Sequence, residues 1–280
     1  MTLQIRKAER KQKKARIALV GPSGAGKTWS ALELAQGLAD GGRVLLLDTE
    51  KGSSTLYAEK FDFDVADLDD YEWDTFMNGI SLAAKSGYDV LVIDSLSHAW
   101  EGLLELHEME AAKTKNSFTA WAKVTPKYND LISAITSFPG HVVVTMRAKT
   151  EYVIDDNNGK KVPRKVGLAS VMRPGSEYEF DIVALLDIEH NLFVEKTRLD
   201  WLADKSFKKP SAELGKKIRE WLMSGKSEVT KYSLALVPED KREAAQKHFE
   251  EKLGLKALGE GVYLSPKPIA NLESYRVNEQ

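Results

Sequence analysis

Four short apolar runs punctuate the first half of the chain, at residues 17–20, 44–47, 90–94 and 142–146. None alternates strictly with polar residues. Such runs suit strands buried on both faces, which predicts a parallel sheet covered by helices. The stretches between them carry apolar residues at helical spacing. Leu32, Leu34, Ala35 and Leu38 form one such stripe, closed by Gly41-Gly42. A second helix is predicted over 71–85, stopping at Gly87, and a polar helical section over 103–138, with breaks near Lys115-Asn116 and at Pro126.

Beyond Arg147 the pattern changes. Residues 152–155 and 161–165 flank Asn157-Asn158-Gly159, which predicts a β-hairpin with glycine at the positive-φ position. Residues 180–188 and 192–196 read as a further strand pair that extends the sheet antiparallel. A helix over 211–223 closes this part, and Ser224-Gly225-Lys226-Ser227 reads as a linker. A last helix starts near Pro238 and carries Ala245, Phe249 and Leu253 on one stripe. There is no internal repeat. The expectation is an α/β chain in three parts: a basic arm over 1–16, a core over 17–223, and a linker with a small α+β module over 224–280.

Composition narrows the chemistry. With 42% apolar and 29% charged residues in 280, the chain is neither collagen-like nor wholly disordered. It has no cysteine, which removes disulfides, thiolate nucleophiles and Cys-ligated zinc, and fits a cytoplasmic protein. No apolar run approaches the roughly 18–20 residues that span a bilayer, so no membrane partner is expected. The net charge of -2 conceals a basic segment: residues 6–16 hold seven Lys or Arg against Glu9 alone. It looks like the start of a signal peptide until the apolar stretch ends at Val20, too short for one. A solubilising tail, a frayed helix or an electrostatic arm for nucleic acid all fit it.

The segment Gly21, Pro22, Ser23, Gly24, Ala25, Gly26, Lys27, Thr28 matches G-x-x-x-x-G-K-[ST] between a strand and a helix. Backbone N–H groups of such a loop wrap a β-phosphate, and the helix N-terminus adds partial positive charge. Lys27 would set an ammonium between β- and γ-phosphates, and Thr28 would offer its hydroxyl to Mg²⁺. A plain glycine turn explains the glycines but neither Lys27 nor Thr28. The run 90–94 ends in Asp94, a candidate metal-site acid, with Ser95 beside it. Glu50, after the second run, is the candidate base for the attacking water, and Asp48 either reaches the metal's water shell or caps the turn.

These three segments together resemble the ATPase core of RecA-like recombinases, and most closely the compact phage-encoded group associated with single-strand annealing and recombination. The resemblance covers about residues 5–222. It implies ATP and Mg²⁺ as ligands, with Glu50 activating water and Thr145 and Arg147 sensing the γ-phosphate. Lys196 and Arg198 match the order and spacing of residues that reach a neighbouring subunit's ATP, implying a homo-oligomer with shared sites. The long N-terminal module of RecA is absent, which points to a ring or short oligomer. Single-stranded DNA is the implied partner, with a single-strand-binding protein or recombination partner beside it, in the cytoplasm of a bacterial host. Lys149, Tyr152, Lys160, Lys161, Arg164 and Lys165 offer phosphate neutralisation and stacking on the hairpin, which can equally be an ordinary solvated one. Phe118, Trp121 and Tyr128 share a helix face better suited to core or interface. A P-loop nucleotide or small-molecule kinase and a KaiC-like or AAA-type ATPase remodelling a protein are the rival readings. A GTPase lacks its base-reading motif here, and His107-Glu108 lacks the second histidine of a zinc hydrolase.

Overall fold

A computed structural model of the chain describes residues 7–157, 160–226, 230–253, 255–265, 269, 272, 275 and 277. Two compact units emerge, Lys14–Leu222 and a second made of Met1–Lys13 with Met223–Gln280.

In the first unit the apolar runs become the parallel strands β1 (Arg16–Gly21), β2 (Val44–Asp48), β4 (Val90–Asp94) and the first part of β5 (His141–Asn157). An acidic edge strand that apolar patterning misses, β3 (Asp64–Asp67), joins them, followed along the chain by β6 (Lys160–Ser170), β7 (Ile182–Leu186), β8 (Asn191–Thr197) and β9 (Ser206–Lys208). The sheet order is β3-β2-β4-β5-β1-β7-β8-β9, with β6 paired to β5. The strand β7 runs parallel to β1, so the antiparallel part begins only at β8 and not, as the pattern suggested, at residue 180.

Helices α1 (Lys27–Ala39) and α5 (Ala212–Met223) cover one face, and α2 (Trp73–Lys85), α3 (Leu96–Thr114) and α4 (Ser117–Ser137) the other, each over its own buried apolar cluster. The first pair packs unusually close: a Cβ on Gly37 would sit 1.9 Å from the Ala212 carbonyl oxygen. The break at 115–116 is real, with Lys115 at φ 54° and the Asn116 side chain capping α4. Pro126 does not break α4, because Val124, Tyr128, Leu131 and Ile132 are buried on both sides of it and hold the helix against the sheet.

The strand β5 is 17 residues long. Up to Arg147 it pairs in parallel with β1. From Ala148 onward it leaves the central sheet as an antiparallel ribbon with β6, in register Ala148↔Ser170 to Asn157↔Lys160. The expected turn residues Asn158 and Gly159 lie outside the described residues.

In the second unit, β10 (Thr230–Ser233), β11 (Lys256–Gly259) and β12 (Val262–Ser265) form a sheet of order β10-β12-β11. The short helix α6 (Arg242–Lys247) continues as one π-helical turn, which seats Phe249 between Tyr232 and Tyr263. The described part of the basic segment, from Lys7 on, contains no helix. Gln12 N donates to Lys226 O (3.0 Å), and Lys226 N to Arg10 O (2.8 Å). Among the described residues no helix is long and apolar enough to cross a membrane.

Candidate nucleotide-binding site

Strand register assembles the site. Gly21 lies beside Arg147 and Asp48 beside Asp94, so the chemistry-bearing residues share the C-terminal edge of the parallel strands, where open α/β sheets bind ligands. Between β1 and α1 the chain turns through Gly24 and Gly26, both at φ 77°, a conformation costing other residues about 1–2 kcal/mol. At Gly26 a Cβ would also stand 3.1 Å from the Nδ1 of His190. The loop opens on a cavity of about 520 Å³ lined by the glycines, Ser23, Lys27 and Thr28, with Glu50, Tyr57, Asp94 and Arg147 opposite.

Lys27 begins α1, and its Nζ donates to the Pro22 carbonyl oxygen at 2.9 Å. Burial lowers its pKa, an effect opposed by the charges of Asp94 and Glu50. The ammonium thus sits in a place where a polyphosphate would replace one carbonyl with several anionic oxygens.

Asp94 is buried at the end of β4. Its Oδ2 accepts from Thr28 Oγ1 at 2.5 Å and its Oδ1 from Thr145 Oγ1. Burial raises its pKa, while the two hydroxyls lower it. A magnesium ion usually keeps several waters and takes one or two carboxylates together with substrate phosphates. Thr28 and Asp94 fit that need. Among the described residues no group of three or more His, Asp or Glu forms a metal cage.

Glu50 follows β2. Its backbone N–H donates to Asp48 Oδ1 (2.6 Å), while Asp48 Oδ2 accepts from Ser54 N and Oγ. Asp48 therefore caps the turn that presents Glu50. The Glu50 carboxylate pairs with Arg147 Nη2 at 3.2 Å. Arg147 Nη1 in turn lies 3.6 Å from Glu101 on α3.

Ser95 and Thr145 lie deeper beneath the sheet edge. Both are fully buried and neither lines the cavity. Thr145 holds Asp94 from behind, and the Ser95 hydroxyl has no hydrogen-bond partner among the described residues. Burial by the sheet places them beneath the cavity lining. Behind them, Thr49 Oγ1 donates to the Asp94 carbonyl (2.8 Å), accepts from Ser95 N (2.8 Å) and lies 2.5 Å from His98 Nδ1. His98 is stacked on Tyr71.

The family model of the AAA domain matches residues 13–219, which span this whole arrangement. The chain belongs to the AAA-domain family. Among curated proteins no match to it is found. The AAA domain is a P-loop ATPase-type domain, and the glycine loop 21–28 between β1 and α1 is compatible with one.

The remaining expected residues fall elsewhere. Lys196 Nζ donates to three carbonyl oxygens of its own chain, those of Glu177, Tyr178 and Phe180, each at 2.8 Å. All three ammonium protons are thereby engaged, so in this conformation Lys196 clamps the 177–180 segment and is not extended toward a neighbour. Arg198 is more exposed and pairs through Nε with Asp181 at 3.3 Å. Lys149 is exposed at the root of the ribbon and lines a separate cavity with Glu177 and Glu195. Tyr152, Lys160, Lys161, Arg164 and Lys165 are placed on the ribbon strands, with Tyr152 opposite Lys165, and their side chains lie outside the described residues.

Sequence reasoning passed over Tyr57, Glu101 and His190. Tyr57 lines the phosphate-loop cavity and is backed edge-on by Trp29 at 5.7 Å. Its signal was an aromatic seven residues after Glu50. Glu101 and His190 carry no local signal, since tertiary contact alone brings them to Arg147 and Gly26.

Proposed function

We propose that the protein is an ATP- and Mg²⁺-dependent, RecA-like ATPase that acts on single-stranded DNA in phage-type recombination, annealing or repair. Within the site, the phosphate loop and Lys27 bind the polyphosphate, Thr28 and Asp94 hold the ion, and Glu50 takes a proton from the attacking water. Held by Thr28 and Asp94, Mg²⁺ would supply neutralisation of the charge on the phosphate oxygens. Tyr57 offers a ring face against which a nucleobase stacks, with Trp29 fixing its orientation.

The observation that carries the DNA reading is the continuity of β5. One strand runs from the sheet beside the phosphate loop, through Arg147 in the cavity wall, into a ribbon whose segment 147–173 holds seven basic residues against three acids. Cationic ribbons with an aromatic grip single strands by phosphate neutralisation and stacking. The reading includes self-association, with Lys196 and Arg198 donated to a neighbour's ATP after Lys196 leaves its intramolecular carbonyls, and a single-strand-binding or recombination protein as a further partner.

Binding of a labelled oligonucleotide across a salt series tests it. The expected result is an affinity that falls linearly on a log–log plot, with a shallower slope for Lys160→Glu/Lys161→Glu. Salt-independent binding, or none while ATP turnover persists, would overturn the DNA reading and favour a protein substrate.

A further inference from the structure

The Glu50 carboxylate, assigned above to water activation, is not free. It holds an ion pair with Arg147 at 3.2 Å, so a guanidinium occupies one of the oxygens that would take the water's proton. Arg147 is shared, however: its other terminal nitrogen lies 3.6 Å from Glu101 Oε1. Both carboxylates and the guanidinium are only partly exposed.

Each partner sits on a different element. Glu50 follows β2, Glu101 lies in the first turns of α3, and Arg147 stands where β5 passes from the sheet into the ribbon, its backbone N–H held by Ser97 Oγ at 2.9 Å. The second oxygen of Glu101 faces His98 Nε2 at 4.0 Å, and His98 is packed between Tyr71 and Thr49 behind the site. Glu101 is therefore fixed from the rear, outside the residues that line the cavity.

We propose that Glu101 is a positioning residue for hydrolysis: by sharing Arg147 it keeps the guanidinium from settling wholly on Glu50. With both carboxylates present, Arg147 pivots about its contact with Glu101, turning its other nitrogen from Glu50 to an incoming terminal phosphate and leaving Glu50 free to take the proton. Without the negative charge at 101, Glu50 is the sole anionic partner and remains occupied. This inference rests on the nucleotide reading of the site.

The test is a set of variants, Glu101→Gln, Glu101→Asp and Arg147→Ala, with the Glu101→Gln/Arg147→Ala double variant. Steady-state ATP turnover and equilibrium binding of a fluorescent, non-hydrolysable ATP analogue are measured on each. Partly exposed ion pairs are worth up to about 1 kcal/mol, so Glu101→Gln is expected to lower kcat by about two- to fivefold. Analogue affinity should stay within about twofold of wild type at that same energy scale. Glu101→Asp, which keeps the charge, should turn over faster than Glu101→Gln. In the Arg147→Ala background the Glu101→Gln effect should vanish, and in the nucleotide-free protein the urea midpoints of the same cycle should be non-additive. Unchanged or raised kcat in Glu101→Gln, strictly additive losses in the double variant, or an equal fall in analogue affinity would each overturn the proposal. A wild-type protein that fails to bind the analogue would overturn the nucleotide reading itself, a distinguishable failure.

Discussion

Replacing Asp94 by Asn should make the nucleotide-free protein more stable while destroying its response to magnesium and nucleotide. The carboxylate is buried, its pKa is raised by that burial, and among the described residues its side-chain oxygens accept from two threonine hydroxyls. Among the described residues no ion pair at contact distance offsets the cost: the Lys27 ammonium is bound to the Pro22 carbonyl, and its charge is the smallest of the causes acting on Asp94. An amide at the same position keeps both contacts: its oxygen accepts from Thr145, and its NH₂ donates to Thr28 Oγ1. Function-linked destabilisation of this kind is commonly worth about 0.5–2 kcal/mol, and about 2–4 °C of Tm follows per kcal/mol in a domain of this size. The sign with pH is definite. The folded pKa lies above the unfolded one, so the contribution of Asp94 to stability is fully present below the unfolded value and is lost as pH rises through the folded value. The gain in Asp94→Asn is therefore largest at neutral pH. Thermal melts at pH 7 check this with and without Mg²⁺ and a non-hydrolysable ATP analogue. At a hundredfold excess over Kd, the ligand should stabilise the wild type by about 2.7 kcal/mol. The reasoning is refuted if Asp94→Asn melts below the wild type without ligand, or keeps the full magnesium-dependent shift.

Three further outcomes follow from the contacts described. Glu50→Gln should hold the ATP analogue as tightly as the wild type yet lose at least about a hundredfold in turnover, and a fast variant would reassign the base. His141, buried with Nδ1 accepting from the Ala15 N–H at 3.0 Å, has its pKa pushed by burial down to about 3. Its folded pKa lies below the unfolded value of about 6.5, so the stability it confers is full above that pH and is lost as pH falls toward the folded value, by at most about 1.4 kcal/mol per unit; the pH dependence of Tm between 7 and 4 should flatten in His141→Asn. Lys196→Met removes one donor from three carbonyl oxygens, two of them at exposed contacts, and should cost about 0.5–1.5 kcal/mol, read as a lower urea midpoint at unchanged m-value.

The features legible in the chain are those that local chemistry dictates. A loop that wraps phosphates needs glycine at positive φ, and a strand that delivers a metal-site acid reads as an apolar run ending in aspartate; Gly24, Gly26 and Asp94 therefore announce themselves. The alternation of strand and helix was equally plain, because strands buried on both faces tolerate few polar residues. Edge elements hid: β3 is Asp-Val-Ala-Asp, covered on one side only, so its apolar signal is two residues long. The direction of β7 was misjudged because direction depends on the connection across the sheet and leaves no mark on composition. Pro126 looked like a helix end, but the burial of α4 outweighs one missing backbone hydrogen bond. Within the site, the full burial of Thr145 and Ser95 is a matter of depth beneath the sheet edge. The engagement of Lys196 depends on a carbonyl cluster sixteen to nineteen residues away. Neither is written in spacing.

Calorimetric titration of the wild type and of Lys27→Ala with a non-hydrolysable ATP analogue, each with and without Mg²⁺, probes the site most directly. The wild type should bind, and more tightly with the ion, while Lys27→Ala, shown folded by an unchanged melt, should give no measurable heat. Equal affinity in the two proteins, or binding indifferent to magnesium, would contradict a phosphate loop acting with Thr28 and Asp94 as described.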